Sequence, residues 1–217
     1  MARSEKGGSG PQTSERLSRR ALLRGAGGAT AGGLLAGGVE AGTEAKTSER
    51  PVRELEGPTQ VELFVNGRPV EVEVSPRTTL LNALRNHAEP ALTGTKLVCD
   101  RGNCGACTVL LDGEPVCSCM MLAADAEGHE VRTVEGLGSP EDLSPLQQSF
   151  CEKDALMCGF CTPGFLMSLT ALLERNPNAE LEEIQAACSG NLCRCGTYPH
   201  IFEAAQAAGE RMQGGGR

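Results

Sequence analysis

The chain has 217 residues, of which 40% are hydrophobic and only 3% aromatic, so it can form one large domain or two small ones with thin cores. Residues 59–217 carry 11 Lys/Arg against 21 Asp/Glu, a net −10. This excludes nucleic acid as a partner, because that affinity comes from neutralising phosphates with cationic side chains. Domains of ~75 residues usually need disulfides or metal to stay folded. The chain has eleven cysteines, an odd count that leaves at least one thiol outside any closed disulfide framework.

Residues 1–58 differ from the rest: they hold 12 of the 28 glycines, no cysteine and no sustained hydrophobic periodicity. Within them Ser18-Arg19-Arg20-Ala21-Leu22-Leu23-Arg24 precedes a weakly apolar run over residues 25–39. Paired arginines before a modest apolar stretch resemble a twin-arginine export signal. The expected location is therefore periplasmic or otherwise extracytoplasmic. A leader with a chance Arg-Arg pair would leave the protein in the cytoplasm. The apolar run is too short and glycine-rich to span a bilayer as a stable helix, so no integral membrane span is expected. Residues 40–58 read as a linker.

From Thr59 onward the pattern becomes structural. Val61-Glu62-Leu63-Phe64-Val65 and Val70-Glu71-Val72-Glu73-Val74 alternate in polarity and flank Asn66-Gly67, which predicts a hairpin with a two-residue turn. Residues 78–86 read as a short amphipathic helix. Residues 108–111 and 115–120, separated by Asp112-Gly113, predict a second hairpin, and residues 130–134 a last strand. Residues 59–136 are therefore expected to form a small mixed sheet with one helix, α+β in class.

The signals turn helical in residues 137–217, after a boundary near Gly136-Leu137-Gly138-Ser139-Pro140. Ser144-Pro145 opens a helix towards residue 154. Thr162 is expected to cap a helix with Pro163 in its first turn, running over 164–175. Asn178 is expected to cap residues 179–187, and Pro199 to open residues 200–212. Four short helices with brief connections suggest a bundle.

The cysteines fall into two sets. Cys99, Cys104 and Cys107 follow the C-x4-C-x2-C spacing of plant-type [2Fe–2S] sites, with a further cysteine downstream. Three thiolates can converge from one tight loop because Gly102 and Gly105 permit positive φ, and small residues there let backbone N–H groups reach sulfur. Cys117 and Cys119 compete as the fourth ligand. On a strand both point to one face, so alternation does not choose between them. The second set is Cys158-Gly159-Phe160-Cys161 and Cys193-Arg194-Cys195. Its four thiolates suit either [2Fe–2S] or structural zinc, although a C-x-C pair is unusual in zinc knuckles.

Three segments carry a family resemblance. They are Gly105-Ala106-Cys107-Thr108-Val109 with its preceding cysteines, Cys158-Gly159-Phe160-Cys161-Thr162-Pro163-Gly164, and Ser189-Gly190-Asn191-Leu192-Cys193-Arg194-Cys195-Gly196-Thr197-Tyr198. Over residues 59–212, in order and spacing, they resemble the iron–sulfur subunit of the xanthine oxidase family of molybdenum hydroxylases. The nearest likeness is to exported aldehyde- or isoquinoline-oxidising members. The resemblance implies a plant-ferredoxin-like β-grasp domain followed by an all-α four-helix bundle. It implies two [2Fe–2S] clusters, one on Cys99, Cys104, Cys107 and Cys119, the other on Cys158, Cys161, Cys193 and Cys195. Cys195 is implied to lie beside the pterin. Family members usually place Gln before the Cys-Gly-x-Cys pair, whereas this chain has Met157, a weak acceptor at a pterin-facing position.

The function so implied is electron transfer within a hydroxylase that oxidises an aldehyde or an N-heterocycle. Molybdopterin in a dinucleotide form would sit on a large catalytic subunit, and the electrons would pass on to FAD on a medium subunit or to another acceptor, since neither cofactor site is visible here. The alternatives are a free-standing two-cluster ferredoxin and a zinc-stabilised interaction module. Cys151 and Cys188 are expected as small buried hydrophobes. His87, His129 and His200 are scattered and expected to serve surface or capping roles.

Overall fold

The structure, a computed structural model, describes residues 54–214, so the arginine pair and its apolar run lie outside the described residues. The first hairpin forms as its alternation dictates, with β1 (Thr59–Val65) antiparallel to β2 (Arg68–Val74). Val61, Leu63, Val65, Val72 and Val74 are buried, while Glu62, Glu71 and Glu73 face solvent. Asn66 and Gly67 both take positive φ (50° and 76°), the conformation that a tight hairpin of this twist requires. Three further strands, β3 (Thr108–Leu111), β4 (Glu114–Cys117) and β5 (Glu130–Arg132), complete a sheet of order β2-β1-β5-β3-β4. The β1–β5 pair is parallel and the rest antiparallel, giving a mixed, β-grasp-like sheet.

One helix covers this sheet, but not as a regular α-helix over residues 78–86. The α-helical part α1 is only Leu80–Asn82, opened by the Thr79 hydroxyl accepting from the Asn82 N–H. It widens into a π-helical turn over Ala83–His87, closed by the Ala88 N–H donating to the Ala83 carbonyl at 2.9 Å. This keeps Leu80, Ala83 and Leu84 against Val61, Leu63, Val109 and Val131.

Two strands stop earlier than their sequences suggest. After Cys117 the chain enters a 3₁₀ turn, Ser118–Met120, so Cys119 is not on a strand. The cause is local: the Ser118 N–H and hydroxyl both donate to the Cys107 carbonyl, at 3.3 and 2.7 Å, and pull the chain out of the ladder. Likewise β5 ends at Arg132 and gives way to a 3₁₀ turn, Val134–Gly136.

Four helices follow. α2 (Pro145–Glu152) starts with a reciprocal capping box between Ser144 and Gln147. α3 (Thr162–Arg175) has Cys161, not Thr162, in the cap position, with proline in its first turn. α4 (Leu181–Ala187) begins two residues later than expected. Asn176 and Asn178 close a separate turn there, and Glu180 with Glu183 forms the capping box. α5 (Tyr198–Gly214) takes Pro199 into its first turn. Phe150, Phe165, Leu169, Leu173, Ile184 and Ile201 form the shared core of these helices. Among the described residues no helix is long and apolar enough to cross a membrane.

The sheet and the helices meet along α3. Met167 and Ala171 pack on Leu110 of β3, and Arg132–Glu174 (2.6 Å) and Arg175–Glu114 (2.9 Å) pair at the rim. The tightest approach is between Gly105 and Gly164. A Cβ on Gly164 would overlap the Gly105 carbonyl oxygen and crowd the Asn191 amide. Gly164→Ala should therefore cost about 1–3 kcal/mol through overpacking, although Ala is the better helix former. Gly190→Ala, where the added Cβ would meet nothing within 4 Å, should stay within about 0.5 kcal/mol of the parent. Thermal unfolding of the two variants, at about 2–4 °C per kcal/mol, distinguishes them.

Candidate metal centres

The loop over residues 99–107 reverses direction repeatedly because Asp100, Gly102 and Gly105 all have positive φ. Gly105 is required twice over. Its φ is +67°, and a Cβ there would lie 2.5 Å from both the Asn191 amide nitrogen and the Gly190 carbonyl. The turns aim backbone N–H groups at sulfur. Those of Arg101, Asn103 and Cys104, with the Cys104 thiol, hold the Cys99 thiol down at about 7, Arg101 contributing most and burial opposing. The Gly102 N–H reaches Cys119 Sγ at 3.3 Å.

Cys107 and Cys119 face each other through their thiols inside a small core with Leu81. Burial pushes the Cys107 thiol up, and pushes that of Cys119 up to about 11. Cys117 is half-buried in the same cluster and its thiol donates weakly to the Gly102 carbonyl at 3.8 Å. It too interacts with the Cys107 thiol, so five sulfurs surround this loop.

The second set is assembled from both ends of helices. Cys161 caps α3, whereas Cys193 and Cys195 precede α5. Cys161 and Cys193 share a thiol–thiol contact, and so do Cys158 and Cys195. Burial pushes Cys161 up to about 12, with the neighbouring Cys193 adding to it. For Cys193 burial is also the largest single influence and acts upward. The Thr197 hydroxyl at 3.2 Å, the Thr197 and Gly196 N–H groups and the Cys161 thiol outweigh it, and the thiol sits at about 7. The Cys193 N–H donates to the Tyr198 hydroxyl at 2.8 Å, and the Tyr198 ring meets Phe165 edge-on at 5.8 Å.

Eight of the thiols thus associate in pairs, Cys99 with Cys104, Cys107 with Cys119, Cys161 with Cys193 and Cys158 with Cys195, and Cys117 joins the Cys107–Cys119 pair. Among the described residues no three His, Cys, Asp or Glu side chains converge as ligands of one ion. A [2Fe–2S] group asks for two thiolates on each of two irons, and the donor set of each half fits that demand.

The two sets are joined by direct hydrogen bonds. The Leu192 N–H donates to the Cys104 carbonyl at 2.9 Å. The buried Asn191 amide donates to the Gly105 carbonyl at 3.0 Å and accepts from the Ser168 hydroxyl at 2.8 Å. Asn191, Ser168, Thr197 and Tyr198 were not legible as site residues from spacing. For Asn191, Thr197 and Tyr198 the signal was their place beside the Cys193-Arg194-Cys195 run, whereas Ser168, in the middle of α3, carried none.

The remaining singled-out residues separate clearly. Met157 is 71% exposed beside Cys158, so it is not packed within this chain. Cys188 is buried as expected, at the end of α4, and burial alone pushes its thiol up to about 12. Cys151, expected to be buried, is exposed instead, because Leu146, Ser149 and Phe150 take the core face of α2. His129 pairs with Asp112 at 2.5 Å and His200 with the Lys153 carbonyl, both away from the cysteines. Arg194 is exposed between two thiols.

Two family models match the chain: a 2Fe-2S iron-sulfur cluster binding domain over residues 63–136 and a [2Fe-2S] binding domain over residues 133–206. The small subunit of nicotine 6-hydroxylase from Paenarthrobacter nicotinovorans is 54% identical over 67% of this chain and 86% of its own. The iron-sulfur-binding subunit PaoA of an aldehyde oxidoreductase from Escherichia coli K12 is 43% identical over 68% of this chain and 71% of its own. Among solved structures, a chain of quinoline 2-oxidoreductase from Pseudomonas putida 86 superposes with a TM-score of 0.68. It is 43% identical and covers 73% of this chain and 98% of its own.

The hydrogen bonds to Cys99 have a consequence that can be measured in iron-free protein. Its thiolate should form as pH rises through about 7, well before that of buried Cys188. Alkylation by iodoacetamide, mapped by mass spectrometry across pH 6–9, should label Cys99 with a midpoint about 1–2 units below that of an ordinary thiol. Cys188 should remain unlabelled throughout.

Proposed function

Because the chain belongs with the iron–sulfur subunits of the xanthine oxidase family of molybdenum hydroxylases, we propose that it relays single electrons through two thiolate-bound centres between a catalytic subunit and a further acceptor. The observation that carries this reading is the paired arrangement of eight thiols, joined by the Leu192 N–H to the Cys104 carbonyl. In this reading Cys99, Cys104, Cys107 and Cys119 hold one [2Fe–2S] cluster, and Cys158, Cys161, Cys193 and Cys195 the other. Bound there, each cluster takes up and releases one electron. The backbone N–H groups around Cys99, Cys119 and Cys193 stabilise the thiolate form that binds iron. The domain division follows: 59–136 is the ferredoxin-type domain, and 137–217 the helical one, its four helices forming the bundle.

Catalysis belongs to a partner. Leu156, Met157, Phe160 and Leu192 expose large apolar surface around the second set, and Leu97 and Val98 do so beside Cys99. Apolar surface next to electron-carrying centres fits a chain built to be covered by other subunits rather than a free-standing ferredoxin. The partner for the second set is a large subunit carrying molybdenum on a molybdopterin dinucleotide, with Cys195 and Met157 facing the pterin. Beyond Cys99 the acceptor is FAD on a medium subunit or another redox partner. The substrate class is an aldehyde or an N-heterocycle, as for the relatives that oxidise nicotine and aldehydes.

The complex should contain about four iron and four labile sulfide per chain, with two [2Fe–2S] EPR signals on reduction. Stoichiometric zinc with only two iron would remove the second centre. In rapid-freeze EPR after mixing with substrate, Cys104→Ser should leave the helical-half signal appearing. Turnover with the physiological acceptor should fall by at least about tenfold, or ~1.4 kcal/mol on the barrier. Cys195→Ser should abolish both signals under the same conditions. The opposite pattern would reverse the direction of the relay.

The segment around Arg19 and Arg20 we assign to twin-arginine export, a route that would carry a protein already loaded with its clusters. Replacing both arginines with lysine should leave the subunit in the cytoplasmic fraction. An unchanged distribution on cell fractionation would reduce residues 1–58 to a leader without an address.

A further inference from the structure

We propose that Cys117 is an alternative fourth ligand of the ferredoxin-half centre, able to take over from Cys119 on the iron that Cys107 holds. The inference rests on the two-cluster reading above and goes beyond it, since eight thiols already complete that reading.

The geometry begins with Ser118. Its N–H and its hydroxyl both donate to the Cys107 carbonyl, pinning the short segment between Cys117 and Cys119 directly over Cys107. Cys117 ends β4 opposite Thr108, the residue after Cys107. Cys119 lies one residue beyond Ser118, inside the 3₁₀ turn. On an extended strand, residues 117 and 119 would share a face but stand two residues apart along it. The turn instead folds Cys119 back, so that both flanking thiols reach the same Cys107 thiol. Leu81 closes the far side of this group.

One peptide decides which thiol is the resting ligand. Gly102 donates its N–H to Cys119 Sγ at 3.3 Å and offers its carbonyl to the Cys117 S–H at 3.8 Å. The N–H of this peptide is aimed at the Cys119 sulfur, which makes Cys119 the resting ligand, while the Cys117 S–H, turned to the carbonyl side of the same peptide, is the spare. Exchange is a substitution without redox change. The Cys117 Sγ–Fe bond forms, the Cys119 Sγ–Fe bond breaks, and the Cys117 proton passes to the departing Cys119 thiolate. Sulfur replaces sulfur, so the donor set of the centre keeps its chemistry.

The test compares two variants within the purified complex, using iron and sulfide content and EPR after reduction as readouts. Cys119→Ala should keep about four iron per chain and both [2Fe–2S] signals, the ferredoxin-half signal shifted because one ligand arrives from a different direction. The double variant Cys117→Ser with Cys119→Ala should fall to about two iron and retain only the helical-half signal, which also reports that the chain has folded. A Cys119→Ala protein that already holds only about two iron overturns the proposal, as does a double variant that still holds four. Failure of the two-cluster reading itself would show differently, as fewer than about four iron in the parent protein.

Discussion

The Gly105 carbonyl oxygen accepts hydrogen bonds from the Thr108 N–H (3.1 Å), the Thr108 hydroxyl (2.7 Å) and the Asn191 amide (3.0 Å), and Gly164 closes over it from α3. This one oxygen belongs to the first cysteine loop, yet two of the groups that enclose it come from the helical half. Each neighbour can approach only because a side chain is missing, at Gly105 and at Gly164. Asn191 then spends its own carbonyl on the Ser168 hydroxyl, so the buried amide meets a partner at both ends. A buried polar group left without a partner costs about 1–3 kcal/mol, which makes this junction sensitive to any change that moves α3 against the loop. The Leu192 N–H to Cys104 carbonyl bond lies one residue further along and depends on the same seating.

From that junction outward, the two thiol sets follow one electrostatic rule with opposite local outcomes. Burial disfavours thiolate, and where burial prevails, as at Cys119 and Cys161, the thiol is pushed up to about 11 and about 12. Where backbone N–H groups and hydroxyls are aimed at sulfur, as at Cys99 and Cys193, hydrogen bonding prevails and the thiol falls to about 7. Each half thus holds at least one sulfur held low by hydrogen bonds and one pushed up by burial. Iron binding must displace the protons of the second kind, so affinity is coupled to pH. The left-handed glycines that present their N–H groups to sulfur, Gly102 to Cys119 in one half and Gly196 to Cys193 in the other, are part of this electrostatic design.

The surface around the sets divides the molecule by role. The sheet's outer face carries Glu62, Glu71 and Glu73 and is solvated. The face around the cysteines instead carries exposed Leu97, Val98, Phe160 and Leu192, with Lys96 lying 5.8 Å from the Phe160 ring centre. Lys96 and Phe160 come from opposite halves of the chain, so the apolar surfaces of the two halves adjoin. A chain with thin cores is thereby held together at its inner junction, with an exposed apolar face running across both halves beside it.

Much of this was legible in the sequence because it is local. Alternation with Asn66-Gly67 determines a hairpin, Ser144-Pro145 determines a helix start, and Cys99, Cys104 and Cys107 with their glycines determine a convergent thiol loop, each within about ten residues. The helical half was legible as helices, but not their boundaries. Asn178 was a plausible cap until Asn176 and Glu180 competed for the neighbouring turn and capping box. What only the tertiary structure decided depends on residues distant in the chain. Ser118 reaches back to Cys107, which ends β4 and separates Cys119 from Cys117. Asn191 reaches across to Gly105, 86 residues away, and Tyr198 receives the Cys193 N–H within a core built by Phe165. Cys151 and Cys188, alike as isolated cysteines, differ in burial because the rotation of each helix is set by what it packs against. Spacing tells which thiols can converge. Packing tells which one a backbone N–H faces, because that depends on where the rest of the chain places each peptide.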